Sequence, residues 1–220
     1  MVVRRTSAAR EGATCMDVSP HDRAFLTFWS LAQQLKQLRR QGWLDRGVND
    51  PESAADHSWG VAFLGWLLAR DRPEIDRERV LLLGLVHDLP EAIAGDPTPF
   101  DHLRNRRGAI DPSHFSESPI YSATARDRKT AAERAALTQL LDGVEPALAA
   151  DIRSAWEEYE ASATPEARFV RQIDKLETLL QAETYRRIQP DIVIDSFRRG
   201  ATRDVTDDYL TRYLSLLHNN

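Results

Sequence analysis

The chain has 220 residues, 42% of them hydrophobic, with a formal net charge of −5 and a pI near 5.7. That length and apolar share suit one domain with a sizeable core, and the acidic balance excludes broad electrostatic adhesion to nucleic-acid backbones or anionic membranes. The single cysteine, Cys15, excludes an intrachain disulfide and suits a reducing cytoplasm.

In chain order, residues 1–18 carry Arg4, Arg5 and Arg10 among small residues, with no apolar stretch of signal-peptide length. They read as a flexible tail ahead of a domain spanning 19–220. The first helix is predicted over 20–41, started by Ser19-Pro20, and the second over 51–70. Asp50-Pro51-Glu52 reads as its start: a capping Asp, a proline whose missing N–H costs nothing at the first position, and an acid near the positive end. The apolar run Val61 to Ala69 is interrupted by Gly65 and ends at Arg70-Asp71-Arg72, too short for a membrane span. A third helix is predicted over 76–90. Residues 97–121 contain Pro97, Pro99, Pro112, Pro119 and Gly108 and read as a long irregular connection. His102, Arg104, Arg106, Arg107 and His114 within it offer charge to an anion, although a solvated surface excursion is the favoured reading. Further helices follow over 126–142, 146–162, 165–189 and 203–218, the sixth started by Thr164-Pro165-Glu166. Strand alternation is nearly absent, so the class is all-α with about seven helices.

The chemistry concentrates at few positions. His87 and Asp88 end the apolar run Val80 to Val86, where uncompensated polarity is costly, and an imidazole beside a carboxylate offers mixed N/O coordination to a divalent cation. A capped helix with a surface turn is the alternative. Glu91 lies four residues after His87, so all three share a face if the helix continues through Leu89. His57 is followed by Val61, Leu64 and Leu68 at helical spacing, which puts it on an inward stripe. A hydrogen-bonded core histidine is the commoner meaning of that pattern. Asp174 flanks the stripe Phe169, Ile173, Leu176 and Leu180, free to turn toward a buried site or to pair with a basic neighbour. Trp156, Tyr159, Leu176 and Leu179 are expected to pack helix on helix, and Arg186-Arg187 and Arg198-Arg199 to be solvated. The chain shows no repeat, glycine-rich phosphate loop, CxxC pair or nucleophile elbow.

Three stretches, PESAADHSWGVA at 51–62, VLLLGLVHDLPEAIAGD at 80–96 and WEEYEASATPEARFVRQIDKLETLLQA at 156–182, resemble the HD-domain metal phosphohydrolases, most closely their 5′-deoxynucleotidase branch. The likeness covers roughly residues 38–185. It implies an HD-domain helical bundle in which His57, His87, Asp88 and Asp174 hold one divalent metal. It further implies Glu91 as the acid/base carboxylate and Asp96 as a residue that contacts the sugar or orders the site. The family places an Arg-Trp pair before the first histidine for deoxyribose selection and phosphate contact. Here Trp43 matches the tryptophan, Gly42 stands where the arginine would be, and Arg40 and Arg46 are the candidates to replace its charge. The mixed ligand set suits Mn, Co, Ni, Fe or Zn, with Mg also admissible. The resemblance thus implies hydrolysis of (deoxy)nucleoside 5′-monophosphates by a homodimer; with the charge and the lone cysteine, the expectation is a cytoplasmic protein acting on a small nucleotide, with no nucleic-acid or membrane partner. Another phosphate ester as substrate is the alternative within enzymes, and a non-catalytic nucleotide-sensing module the alternative outside them.

Overall fold

The structure is a computed structural model that describes residues 19–218; the expected 1–18 tail and Cys15 lie outside the described residues. It is all-α. Ten α-helical segments take the order α1 (Pro20–Ala32), α2 (Gln41–Leu44), α3 (Ala54–Leu68), α4 (Arg77–Val86), α5 (Glu91–Ala94), α6 (Ala123–Leu140), α7 (Pro146–Ala161), α8 (Pro165–Ile188), α9 (Asp195–Asp204) and α10 (Asp208–His218). The described residues form no strand, only an isolated antiparallel bridge between Arg39 and Ser53.

The all-α class is as expected, and the described residues carry ten helical segments against the expected seven or so for local reasons. The segment predicted as 20–41 ends as helix at a 3₁₀ turn over Gln33–Lys36, and the short α2 begins only at its last residue after a non-helical stretch over 37–40. The second helix does not start at Asp50, which has a positive φ of 49°. Ser53 caps it instead: its hydroxyl accepts from the Asp56 backbone N–H while the Asp56 carboxylate accepts from the Ser53 N–H, a reciprocal capping box. The segment predicted as 203–218 is α10, and α9 went unseen because Arg198, Arg199, Arg203 and Asp204 leave few apolar residues to mark a period. The 97–121 connection holds two 3₁₀ turns, Asp101–Leu103 and Pro112–Ser116. Its own apolar cluster, Phe100, Ile110 and Phe115, folds it down.

α8 is the central helix. With α3, α4, α7, α9 and α10 it encloses the main core, in which Val61, Leu83, Ile173, Leu176 and Leu179 are fully buried. Tyr159 joins this core, and Trp156 a second one built from α1, α6 and α7 with Phe28, Leu137 and Leu140, as expected. α3 touches both, through Ala54 in the second and Val61 in the first. It packs tightly on α4, where a Cβ at Gly84 would come within 2.6 Å of the Ala62 Cα, so only glycine admits this backbone approach. That closeness brings the start of α3 alongside the end of α4, and both against the middle of α8.

Candidate metal centre

His57 lies near the start of α3, His87 caps the C-terminus of α4, and Asp174 sits mid-way along α8. The contacts between these helices carry all three to one point. His57 is fully buried and His87 is 5% exposed, yet the Nε2 atom of each lacks a hydrogen-bond partner. The other ring nitrogen is engaged in both. His57 Nδ1 lies 2.7 Å from Glu177 Oε2, and His87 Nδ1 2.8 Å from the Gly84 carbonyl. Donation from each Nδ1–H leaves two Nε2 lone pairs directed at the same space.

Carboxylates line that space. Asp88 Oδ2 is 3.2 Å from His87 Nε2 and 3.8 Å from His57 Nε2, and Asp174 Oδ1 is 3.2 Å from His57 Nε2. The ligand atoms of His57, His87 and Asp88 all lie within 4.8 Å of one another, a group able to hold a metal ion. Orphaned imidazole lone pairs facing acidic oxygens fit a divalent cation, because a buried polar atom with no partner is otherwise costly. The same carboxylates favour positive charge, which without a metal falls to a proton on His57. Burial and Arg40 push the His57 imidazole down, but Asp174 and Glu177 outweigh them and hold it up at about 10. Burial would raise Asp174, yet Lys175 and His57 keep it well below the usual carboxylate range. The pocket of carboxylates calls for positive charge.

The helix expected to continue through Leu89 stops at Val86, followed by a turn over 87–90. Glu91 still reaches the site, because it opens α5 with its N–H donating to the Asp88 carbonyl at 3.0 Å. Its Oε2 is buried and without a hydrogen-bond partner. Burial, then the charges of Asp88 and Asp96, raise its carboxyl well above the usual range, opposed by Arg40 and Lys129. α5 ends at Gly95, whose φ of 80° turns the chain so that Asp96 faces back. Asp96 Oδ2 accepts from the Gln41 N–H at 2.7 Å.

Arg40 and Arg46 part company. The Arg39–Ser53 bridge holds Arg40 beside the start of α3, where its Nη1 donates to Asp88 Oδ2 at 3.1 Å and Asp96 Oδ1 at 3.3 Å and lies 3.6 Å from Glu91 Oε2. Arg46 is not brought to this cluster. Its guanidinium packs 4.1 Å from the Phe115 ring centroid and 4.2 Å from that of Phe197, and it donates to the Gly42 and Val193 carbonyls and Ser196 Oγ. Trp43 is 2% exposed, packed on Tyr185 and Phe197 with its indole N–H donated to Glu52 Oε1 at 2.9 Å, and reaches the cavity only as wall.

The cluster opens into a cavity of about 1030 Å³ through His87, Asp88 and Asp174, with Arg40, Glu91 and Asp96 beside them. Its volume is that of a small-molecule site. Lys129 and Lys175 add positive charge to the wall, the first paired with Glu133 and the second 2.8 Å from Asp174 Oδ2. Asp174 thus meets both fates left open by its sequence position. None of His102, Arg104, Arg106, Arg107 and His114 lines the cavity, and Arg104 is paired with Asp45 and Asp101.

A family model described as an HD domain matches residues 32–210, a span that includes every residue of this cluster. The chain belongs to the HD-domain family. Among HD-domain relatives, the 5′-deoxynucleotidase HDDC2 of Xenopus laevis is 33% identical over 167 residues, covering 76% of this chain and 72% of that protein. The human protein of the same name is 32% identical over 163 residues, covering 74% and 69%. In three dimensions the chain is similar to a conserved hypothetical protein from Pyrococcus furiosus, with a TM-score of 0.64, 28% identity, and coverage of 89% of this chain and 99% of that one.

Sequence reasoning missed Glu177, Glu52 and Lys129. Glu177 carried one signal: it lies three residues after Asp174, on the same face of a helix. Burial raises Glu52 to about 6, helped by the nearby charge of Glu177. Among the described residues no helix is long and apolar enough to cross a membrane.

Proposed function

We propose that the protein is a metal-dependent phosphohydrolase that releases phosphate from deoxynucleoside 5′-monophosphates, with His57, His87, Asp88 and Asp174 holding one divalent ion. The observation that carries this reading is the pair of buried, partnerless Nε2 atoms facing two carboxylates at the floor of a nucleotide-sized cavity. The chain's similarity over about three quarters of its length to proteins named 5′-deoxynucleotidase supplies the substrate class. Mn, Co, Ni, Fe and Zn suit the mixed donor set, with Mg also admissible. When bound, such a cation neutralises phosphoryl charge and acidifies water near neutral pH.

The chain's own residues do the rest. Glu91, outside the ligand set but hydrogen-bonded through its backbone to Asp88, accepts a proton from the attacking water or delivers one to the departing 5′-oxygen. Arg40 is the cation placed to meet a phosphate at the floor and takes the role assigned to the family's arginine. Asp96 fixes Arg40 and the Gln41 backbone from the other side and stands near the sugar. Trp43 contributes wall rather than a free stacking face.

A phosphate-release screen of all deoxy- and ribonucleoside 5′-monophosphates with Mn, Co, Ni, Zn and Mg tests this reading. Deoxynucleotides are expected to turn over fastest; equal rates on AMP and dAMP withdraw the deoxyribose preference, and silence across the panel withdraws the monophosphatase.

Two copies are proposed to pair, in a cytoplasmic setting, through the outer face of α3 and α4. Trp59, Phe63 and Leu67 on α3 and Leu81, Leu82 and Leu85 on α4 are all exposed, on two helices that pack on each other and on α8. Together they offer on the order of 500 Å² of apolar surface, what the apolar part of a standard interface of about 800 Å² per partner requires.

A further inference from the structure

The two histidines of the centre are backed differently. His87 Nδ1 faces a neutral backbone carbonyl, that of Gly84, whereas His57 Nδ1 faces the carboxylate of Glu177 at 2.7 Å. α8 grips both ends of the His57 imidazole: Asp174 approaches Nε2 at 3.2 Å, and Glu177, on the same helix face, holds Nδ1. One ligand atom of Glu52 lies within 4.8 Å of those of His57 and Glu177, so two carboxylates gather at the Nδ1 end of the ring. α3 makes room for this grip. Three residues after His57 stands Gly60, where an added Cβ would overlap Glu177 Oε1 and come within 3.0 Å of Glu177 Cδ. The Glu177 carboxylate therefore rests on a bare stretch of α3 backbone.

We infer that Glu177 is a positioning residue for the metal centre: seated on Gly60, it fixes His57 as the Nδ1–H tautomer and thereby aims a strengthened Nε2 lone pair into the cluster. A carboxylate accepting from the distal ring nitrogen of a metal-ligating histidine orients the ring and raises its basicity, and losing one typically costs 10–100-fold in metal affinity or activity. The inference rests on His57 being a ligand, as proposed above.

Glu177→Ala removes the carboxylate. Gly60→Ala displaces it while leaving every ionisable group in place, and it improves intrinsic helix propensity, so a folding defect is not its expected consequence. Both are titrated with Co²⁺ alone, followed by visible absorbance, alongside melting of the metal-free proteins. Both variants are expected to bind Co²⁺ about 10–100-fold more weakly than wild type while melting normally without metal. Glu177→Gln, whose amide oxygen still accepts from Nδ1–H, is expected to fall between. In the Zn²⁺-loaded wild type, ¹⁵N–¹H spectra should show the His57 proton on Nδ1, and the Glu177→Ala spectrum should show that preference weakened. Unchanged Co²⁺ affinity in both Glu177→Ala and Gly60→Ala overturns the assignment alone; a wild type that takes up no Co²⁺ overturns it together with the metal-centre reading beneath it.

Discussion

Glu91 is buried among like charges yet sits outside the proposed ligand set, which separates binding from turnover in a single side chain. Glu91→Gln keeps the shape and removes the proton-transfer group. It should leave metal uptake unchanged and lower kcat by about 10²–10⁴-fold, the usual contribution of a positioned acid or base; a steady-state assay beside a metal titration decides, and near wild-type turnover removes Glu91 from the chemistry. At this scale the sequence was readable where burial conflicted with polarity. His87-Asp88 stood at the end of an apolar run, and His57 on an apolar stripe. Arg40 and Arg46 were not separable, because both flank Trp43 and only tertiary contacts sort them. A backbone bridge steers one to the carboxylates, and three aromatic rings cover the other. Glu177 escaped notice because its partner His57 lies 120 positions away in the chain.

Elements matter here mainly through where they begin and end. The site needs α3 to start late enough that His57 falls in an early turn facing α8, and the Ser53–Asp56 capping box sets that start. Ser53→Ala should cost about 1 kcal/mol, read as a lowered chemical denaturation midpoint; an unchanged midpoint would take the helix start away from Ser53. The end of α4 is as important. A continuous helix through Leu89 would place Glu91 by helical geometry alone, but the turn over 87–90 and the short α5 place it through a backbone bond to Asp88 and swing Asp96 back at Gly95. Long helices with clear periods, such as α7 and α8, were legible to within a residue. The breaks were not, since Ser53, Pro90 and the charged α9 act through caps and packing rather than through an apolar period.

For the whole molecule, the cluster joins α3, α4 and α8, so the ion should act as a clamp on the core as well as a cofactor. Metal at a hundredfold excess over its Kd should stabilise the fold by about 2.7 kcal/mol, and stripping it with a chelator should lower the melting temperature by roughly 5–10 °C for a chain of this size. Scanning calorimetry with and without chelator tests that, and coincident transitions would argue against a bound ion. The proposed pairing face is formed by exposed residues of the same two helices, α3 and α4. Trp59→Glu with Leu85→Glu should convert a dimer to a monomer in light scattering; a wild-type monomer at micromolar concentration removes that proposal.

Side chains from α3, α4 and α8 are proposed to meet at one cation, and anomalous diffraction from crystals grown with Mn²⁺ reads this most directly. One strong peak per chain is expected within about 2.0–2.3 Å of His57 Nε2, His87 Nε2 and oxygens of Asp88 and Asp174. A map with no peak there, or with Mn²⁺ held elsewhere while the two imidazoles stay bare, contradicts it.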